Sequence, residues 1–411
     1  MEPVELKPDI YWVGAIDWNL REFHGYRTPR GTTYNAYLIL DNHPTLIDTV
    51  KRPFYPELIQ RINKIIDPAK IDYIISNHVE MDHSGSLPFY LHEYPNATII
   101  TSTQGLKGLT AHYHPTWLMR PVKTDETLSI GKRTLHFHHI PMVHWPDSMV
   151  TYSPFDKILF PNDAFGQHIA SAQRFDDNIG WDILHEEAAK YYANIVLPYS
   201  DQVKTALSAL STLQFDMIAP SHGQIWRTYI PQLLQEYQRW STHQSHAQAV
   251  IVYDSMWGST EQMACSLRDG LEAVGIPVSM QNLKTSHISD VITTVLQSKL
   301  VCIGSPTLNS GVLPSVGAFL TYLKGLRPRD RVGIAFGSYG WGGQSIGDID
   351  SVIHALDWQT PEPSIKTPYI PEKTVLKTIY ETGRRLGTFI KDMKLDDSTG
   401  GNNTSSSKPQ Q

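Results

Sequence analysis

The chain of 411 residues has only two cysteines, Cys265 and Cys302. Two isolated thiols cannot build a disulfide scaffold, an iron–sulfur cluster or a Cys-rich zinc module, and their scarcity fits a reducing compartment; both read as small buried residues. Long apolar runs are missing too. No stretch approaches the roughly 18 apolar residues of a membrane span, and MEPVELKPDI has two prolines and two glutamates where a signal peptide needs an apolar core. Positive charge is scarce as well: 35 Lys and Arg against 41 Asp and Glu leave a net charge of −6. That balance offers no footprint for nucleic acid and argues against a membrane surface. These absences point to a cytoplasmic protein of two or three domains. Any metal centre in it has to be built from His, Asp and Glu.

Histidine is plentiful, and it is unevenly placed: of 18, only His287 and His354 lie beyond His246. The two parts of the chain also differ in pattern. In the first, strand-like runs (IYWVGAIDW; TTYNAYLILDNHPTLIDTV, broken by the turn DNHP) give way to alternating helical and apolar segments: YPELIQRINKII, IDYIIS, LPFYLHEY, ATIITS. This alternation marks a layered α/β domain. A closing helix and polar linker over residues 228–246 end it, so the first domain is expected over 1–246. From Ala247 the near-continuous apolar run AQAVIVYDS suits a parallel strand buried on both faces. A helix from Glu261 to Val274, PVSMQNL, a further helical stretch, KLVCIGSP, a helix near Val316 to Leu323, RVGIAFGSYG, a helix near Gln344 to Leu356, and TPYIPE follow. A doubly wound five-stranded sheet over 247–395 fits that succession. The Ser/Asn/Gly-rich segment 396–411 reads as a disordered tail.

The densest chemistry lies in IDYIISNHVEMDHSG, where His78, Glu80, Asp82 and His83 follow a strand within six residues. Three more apolar strands each deliver a ligand-type residue just past their ends: His144 in MVHWPDS, Asp163 in FPNDAFG and His222 in APSHG. In layered α/β folds such loops gather at one sheet edge. Four such sites are unlikely to coincide without a metal. By contrast, His112, His114, His136, His138 and His139 read as structural or exposed.

HxExDH followed by an isolated His, Asp and His resembles the metallo-β-lactamase fold, an αββα sandwich. Hydrolases of that fold carry HxHxDH and bind zinc, whereas Glu80 stands here in place of the second His. With HWPDSM, NDAFGQH and PSHGxIWR also present, this half resembles the diiron domain of flavodiiron proteins. The resemblance implies two irons: His78, Glu80, His144 and a bridging Asp163 on one, and Asp82, His83, His222 and the same Asp163 on the other. A nitrogen and oxygen donor set without thiolate suits iron, and carboxylates favour its ferric state. His24, in FHGYRTPRG, and Tyr192, in YYANIVLPYS, match family segments near the diiron pocket. The resemblance makes them candidates for donating protons or hydrogen bonds to a bound gas. Trp145 and Asp147 are expected to shape the pocket, and Asp48 to anchor it.

In the second half three loops sit at strand exits. Ser255, Met256, Trp257, Gly258, Ser259 and Thr260 form a strand–loop–helix turn suited to a monophosphate. No GxGxxG is present, so a dinucleotide is not indicated. Pro306, Thr307, Leu308, Asn309, Ser310 and Gly311 form the second loop, and Ser338, Tyr339, Gly340, Trp341, Gly342 and Gly343 the third. Tyr339 or Trp341 could stack on a flat ring. These loops resemble the flavodoxin-like FMN domain, again as worded in flavodiiron proteins, and the likeness spans residues 10 to 390.

The resemblance implies a reductase of dioxygen to water and/or nitric oxide to nitrous oxide, with electrons passing through FMN to the diiron centre. It also implies a head-to-tail homodimer, possibly a dimer of dimers, in which one subunit's flavin lies beside the other's irons. Two isolated cysteines cannot supply the paired CxxC motifs of a fused rubredoxin, so the expected donor is a separate rubredoxin-like protein or a reduced deazaflavin. No nucleic acid or membrane partner is expected. Two other readings remain at this point: a dizinc hydrolase with an accessory flavodoxin domain, and an electron carrier in which only the second half works.

Overall fold

The computed structural model describes residues 2–399, with side chains described as far as residue 393. The chain divides into two compact units, Met1–Thr242 and His243–Gln411. The strand opening the second unit begins at His246, one residue before the expected start.

In the first unit, Val4–Lys7, Ile10–Trp12, Tyr37–Ile39, Thr45–Ile47, Tyr73–Ser76, Thr98–Ser102 and Met119–Val122 form one sheet in that order. Pairing is parallel from Thr45–Ile47 onward. A second sheet contains Thr127–Ser129, Thr134–His139, Met149–Ser153, Ile158–Phe160 and Met217–Ile218, the last two parallel. Side-chain alternation sets the layers. Ile39, Ile47, Ile75 and Ile100 face the second sheet and meet Leu135, Phe137, Met149 and Phe160. Their neighbours Leu38, Leu46, Ile74 and Ile99 point the other way, onto Leu58 and Ile62 of helix Tyr55–Asn63 and Leu87 and Tyr90 of helix Leu87–Glu93. Each buried side chain of this size contributes about 1.5–3 kcal/mol. Helices Trp181–Tyr191, Ser200–Leu210 and Ile230–Ser241, which bury Leu184, Val203 and Leu233, supply the other helical layer of the αββα sandwich.

The second unit is a five-stranded parallel sheet in the order Val278–Asn282, His246–Tyr253, Ser298–Gly304, Val332–Tyr339, Ile365–Pro368. This is the flavodoxin-like order, with its crevice where the strand order reverses. The last strand ends inside TPYIPE, because the backbone leaves the sheet at Tyr369, where φ is 50°. A helix not anticipated from the sequence, Lys373–Thr399, follows. It packs Leu376, Ile379, Leu386 and Ile390 on the same core as Leu267 and Leu271, and it runs four residues into the expected tail. Residues 400–411, the rest of that tail, lie outside the described residues. Among the described residues no helix is long and apolar enough to cross a membrane.

Two glycines let this last helix cross helix Ser259–Glu272 at backbone contact. A Cβ on Gly383 would stand 2.5 Å from the Leu267 carbonyl oxygen, and one on Gly270 would stand 2.0 Å from that of Tyr380. Backbone cannot swing aside. Gly383→Ala is therefore expected to cost about 1–3 kcal/mol. Peptide-level hydrogen exchange should show lost protection within 250–390 and none in the first unit; unchanged protection would contradict the crossing.

Candidate functional site

The site begins with a carboxylate that ligates nothing. Asp48 ends strand Thr45–Ile47 with φ at 55°, and this left-handed turn aims its buried side chain at the neighbouring strand ends. It accepts hydrogen bonds from the Asn77 backbone N–H (2.8 Å) and side-chain amide (3.3 Å), from Asn162 Nδ2 (3.1 Å) and from Ser221 Oγ (3.5 Å). Asn77, Asn162 and Ser221 each stand directly before a candidate ligand: His78, Asp163 and His222. One side chain thus sets three loops. Burial pushes the Asp48 carboxyl above its ordinary range, against the charge of His83 and these donors.

The seven expected ligand residues converge in two groups, His78, Glu80, His144 and Asp163, and Asp82, His83 and His222, the donor atoms of each lying within 4.8 Å of one another. Asp163 reaches both. Its Oδ2 lies 3.1 Å from His144 Nε2 and 3.6 Å from His78 Nε2, while its Oδ1 lies 2.9 Å from His83 Nε2 and 3.5 Å from His222 Nε2. Glu80 Oε2 stands 3.4 Å from both His78 and His144 Nε2. Asp82 lies 3.3 Å from His83 Nε2 and 3.1 Å from His222 Nε2.

Such spacing fits a metal pair. Bonds of about 2.0–2.2 Å to a central ion set neighbouring donor atoms roughly 3–3.5 Å apart. In addition His78 Nε2, His83 Nε2, both Asp82 oxygens and Asp163 Oδ1 are buried without a hydrogen-bond partner. Orphaned atoms of this kind are costly unless something charged stands between them.

Supporting side chains fix which imidazole nitrogen faces inward. Asp147 Oδ2 lies 2.9 Å from His78 Nδ1 and accepts from the Val79 N–H at 2.8 Å, so His78 donates outward and presents Nε2. His222 Nδ1 likewise donates to the Thr33 carbonyl at 2.7 Å. The Trp145 ring stands edge-on to His78, 4.9 Å between centroids. His24, largely exposed, lies with Nε2 3.0 Å from Glu80 Oε1.

Tyr192 is a correction. Its ring packs on Tyr237 and Trp240, and its hydroxyl lies 3.0 Å from Ser200 Oγ, away from the ligands. One residue along a helix turns the side chain by about 100°, so it is Tyr191 that faces inward, 5.1 Å from the His168 ring and 6.2 Å from His222. Burial and the Asp163, Glu80 and Asp82 charges push its phenol well up, which keeps the proton on oxygen. His168 was overlooked although it lies in NDAFGQH, past the same strand exit as Asp163. It is fully buried, 2.8 Å from Thr32 Oγ1 through Nδ1 and 4.9 Å from the His222 ring, and burial with the nearby His222 charge holds it neutral.

The second unit carries a cavity of about 770 Å³. Ser255, Met256, Trp257, Ser259, the residues 306–310 and the residues 338–342 line it, with Gln344, Tyr369 and Ile370, which were not foreseen. Gly258, Thr260, Gly311 and Gly343, also expected there, are not among the lining residues. Gly258 (φ 84°) caps helix Ser259–Glu272, Thr260 Oγ1 lies 3.3 Å from Ser338 Oγ, Gly311 pairs with Leu308, and Gly343 caps helix Gln344–Ala355. No side chain caps helix Ser259–Glu272, so its first N–H groups are open to an anion. Cavity size, the aromatic residues Trp257, Tyr339 and Trp341, and this open terminus fit a flavin mononucleotide.

Residues 32–223 match the model of the ODP family beta lactamase, and residues 251–383 that of flavodoxin. The chain is 45% identical to a nitric oxide reductase of Moorella thermoacetica, over 95% of this chain and all of that one. It is 40% identical to a rubredoxin-oxygen oxidoreductase of Megalodesulfovibrio gigas, over 93% and 97%. Among solved structures, the rubredoxin oxygen:oxidoreductase from Desulfovibrio gigas superposes with a TM-score of 0.93 at 39% identity, covering 95% of this chain and 99% of that one. The flavodiiron protein from Giardia intestinalis gives 0.93 at 36%, covering 95% and 97%.

The carboxylates hold protons on the site while no metal is bound. Burial presses His78, His83 and His144 down, yet Asp147, Glu80, Asp82 and Asp163 outweigh it and raise all three, His83 to about 9. A divalent ion must displace these protons. Calorimetric titration of metal-free protein with Fe(II) in buffers of different ionisation heat should show net proton release near pH 7. Above about pH 9 the His83 share vanishes and release should shrink. A release that does not change with pH would contradict the assignment.

Proposed function

The chain belongs to the flavodiiron proteins, and on that premise we propose that it is an oxidoreductase that reduces dioxygen to water, nitric oxide to nitrous oxide, or both. Its cofactors are FMN and two iron ions. The observation that carries the reading is Asp163, whose two oxygens face two separate donor groups. His78, Glu80 and His144 would hold one iron, Asp82, His83 and His222 the other, and Asp163 both. When bound, the irons and FMN supply the electrons: four for dioxygen to two waters, two for joining two nitric oxide molecules. Glu80 adds anionic oxygen where hydrolases of this fold carry imidazole, and this favours redox chemistry at iron.

Both reductions also consume protons. His24 is open to solvent and lies within hydrogen-bonding distance of Glu80, so it is placed to bring protons to the mouth of the site. Tyr191 keeps its phenolic proton and can donate a hydrogen bond inward. Asp147 and the Thr33 carbonyl hold His78 and His222 in the tautomer that leaves Nε2 for metal.

The oxidised flavin has to be reduced from outside, by a rubredoxin-like protein or a reduced deazaflavin, and the enzyme works in the cytoplasm. Trp257 and Trp341, 91% and 97% exposed, together with Tyr369 and Ile370 form an apolar rim around the flavin cavity. Such a rim supports a covering partner, here a second copy in a head-to-tail dimer. A fully active enzyme that is strictly monomeric by light scattering would sink the dimer.

The reading itself is tested by anaerobic reduction of the loaded protein followed by a single addition of each gas. Gas uptake at an electrode should accompany flavin reoxidation, and if neither gas reoxidises the flavin the reading is wrong. His24→Gln should slow uptake by up to about 10²-fold with unchanged iron content; an unaltered rate removes His24 from proton supply.

A further inference from the structure

One aromatic ring touches the metal site from outside. Trp145 follows His144, and its indole stands edge-on to two ligand residues at once, 4.9 Å from His78 and 6.0 Å from His144 between ring centroids. The same side chain is half-buried and lines an open groove of about 470 Å³. The far wall is one face of helix Thr103–Tyr113, with Gln104, Lys107, Gly108 and His112, and Pro146 stands at the rim. The helix comes this close because Gly108 has no side chain; a Cβ there would stand 2.9 Å from Val79, the residue after His78. Among the described residues, no other tryptophan ring stacks on a candidate ligand.

We propose that Trp145 is a one-electron relay between the metal site and the groove, used when oxygen meets the enzyme with too few electrons in it. The proposal rests on the oxygen-reducing reading above. Four electrons and four protons convert dioxygen to two waters. A subunit holding two electrons stops two short, and a half-reduced oxygen species is then free to damage protein. Indole is among the few side chains that give up a single electron to such an oxidant, and contact with His78 and His144 makes this one the nearest source. Trp145 passes one electron to the reacting oxygen, its indole proton passes to water in the groove, and a neutral indolyl radical remains. A thiol in the groove then returns one electron and one proton and leaves as a thiyl radical. Two such cycles supply the two missing electrons. Without a thiol the radical gives up the second missing electron as well, adds water with loss of a proton, and ends as a hydroxytryptophan.

The test uses the iron- and FMN-loaded enzyme, charged anaerobically with two electrons per chain and mixed repeatedly with excess dioxygen in the presence of catalase. Peptide mass mapping should find oxygenated tryptophan several-fold more often at Trp145 than at Trp257 and Trp341, although those two are far more exposed. Glutathione, or a full supply of electrons, should suppress it. Freeze-quenched samples should show an indolyl radical by electron paramagnetic resonance. The signal should disappear in Trp145→Phe and become tyrosyl in Trp145→Tyr. Equal oxidation of Trp257 and Trp341 would mean a diffusing oxidant and overturn the relay. Dioxygen consumption without modification or radical at Trp145 would overturn the relay and leave the functional reading standing. No consumption at all would overturn both.

Discussion

The buried carboxylate of Asp48 is the contact on which the geometry of the first unit depends. Parallel strands bring their ends to one edge, but backbone pairing stops at Ser76, Phe160 and Ile218, two to four residues short of His78, Asp163 and His222. Beyond those points each loop would be free to settle by itself. Asp48 removes that freedom by accepting from Asn77, Asn162 and Ser221 together. The arrangement is tightened by bonds among the loops themselves. Ser221 N–H donates to the Asn162 carbonyl, the Met149 N–H to that of Asn77, and Asn35 N–H to that of Ser221. Burying a carboxylate is expensive, and here several donors and the nearby His83 charge offset the cost.

A second layer of electrostatics follows. Four imidazoles and three carboxylates packed out of water must be compensated whether or not metal is present. Without metal, protons on His78, His83 and His144 do this, which is why those histidines are held up and Asp163 is held far down. With metal, two cations take the place of the protons. What changes is the identity of the positive charge at the centre, and the outer bonds of His78 to Asp147 and of His222 to Thr33 serve both states.

Much of this was legible in the sequence, for a physical reason. Ligands that follow strand ends within a few residues are placed by topology, so HxExDH, His144, Asp163 and His222 could be read as one edge before any coordinates. Residues carried by helices and by long-range packing were harder. Tyr191 and Tyr192 are adjacent in the chain and point about 100° apart around one helix, whose last turn widens over Tyr192–Val196, so no local pattern separates them. His168 lay in a recognised segment, but its use depends on Thr32 and Tyr191, which are distant in the chain. Tyr369 and Ile370 reached the cavity wall because the last strand ends at Pro368 and the chain turns at Tyr369, a turn hidden within TPYIPE. The last helix is amphipathic, yet it follows directly on a segment read as strand.

Both units solve the same problem with opposite charge. Each has parallel strands whose terminal loops must be rigid before a cofactor arrives. In the first, carboxylates turn inward, as suits cations. In the second, Asp254 at the end of strand His246–Tyr253 is buried too, but it is absent from the cavity wall; it accepts from the Ser255 N–H and the Ser315 hydroxyl and thereby tightens the loop from behind. Among the aromatic and apolar side chains of the open face, the polar groups are hydroxyls, amides and an uncapped helix start, with no carboxylate. Ser305, Thr307 and Ser345 repeat the device between the second and third loops through hydroxyl contacts of 2.9–3.2 Å. A carboxylate in that wall would repel a phosphate, and a hydroxyl wall in the first unit would leave two cations uncompensated. The sign of the groups each unit turns inward thus selects a pair of metal ions for one crevice and an anionic flavin for the other.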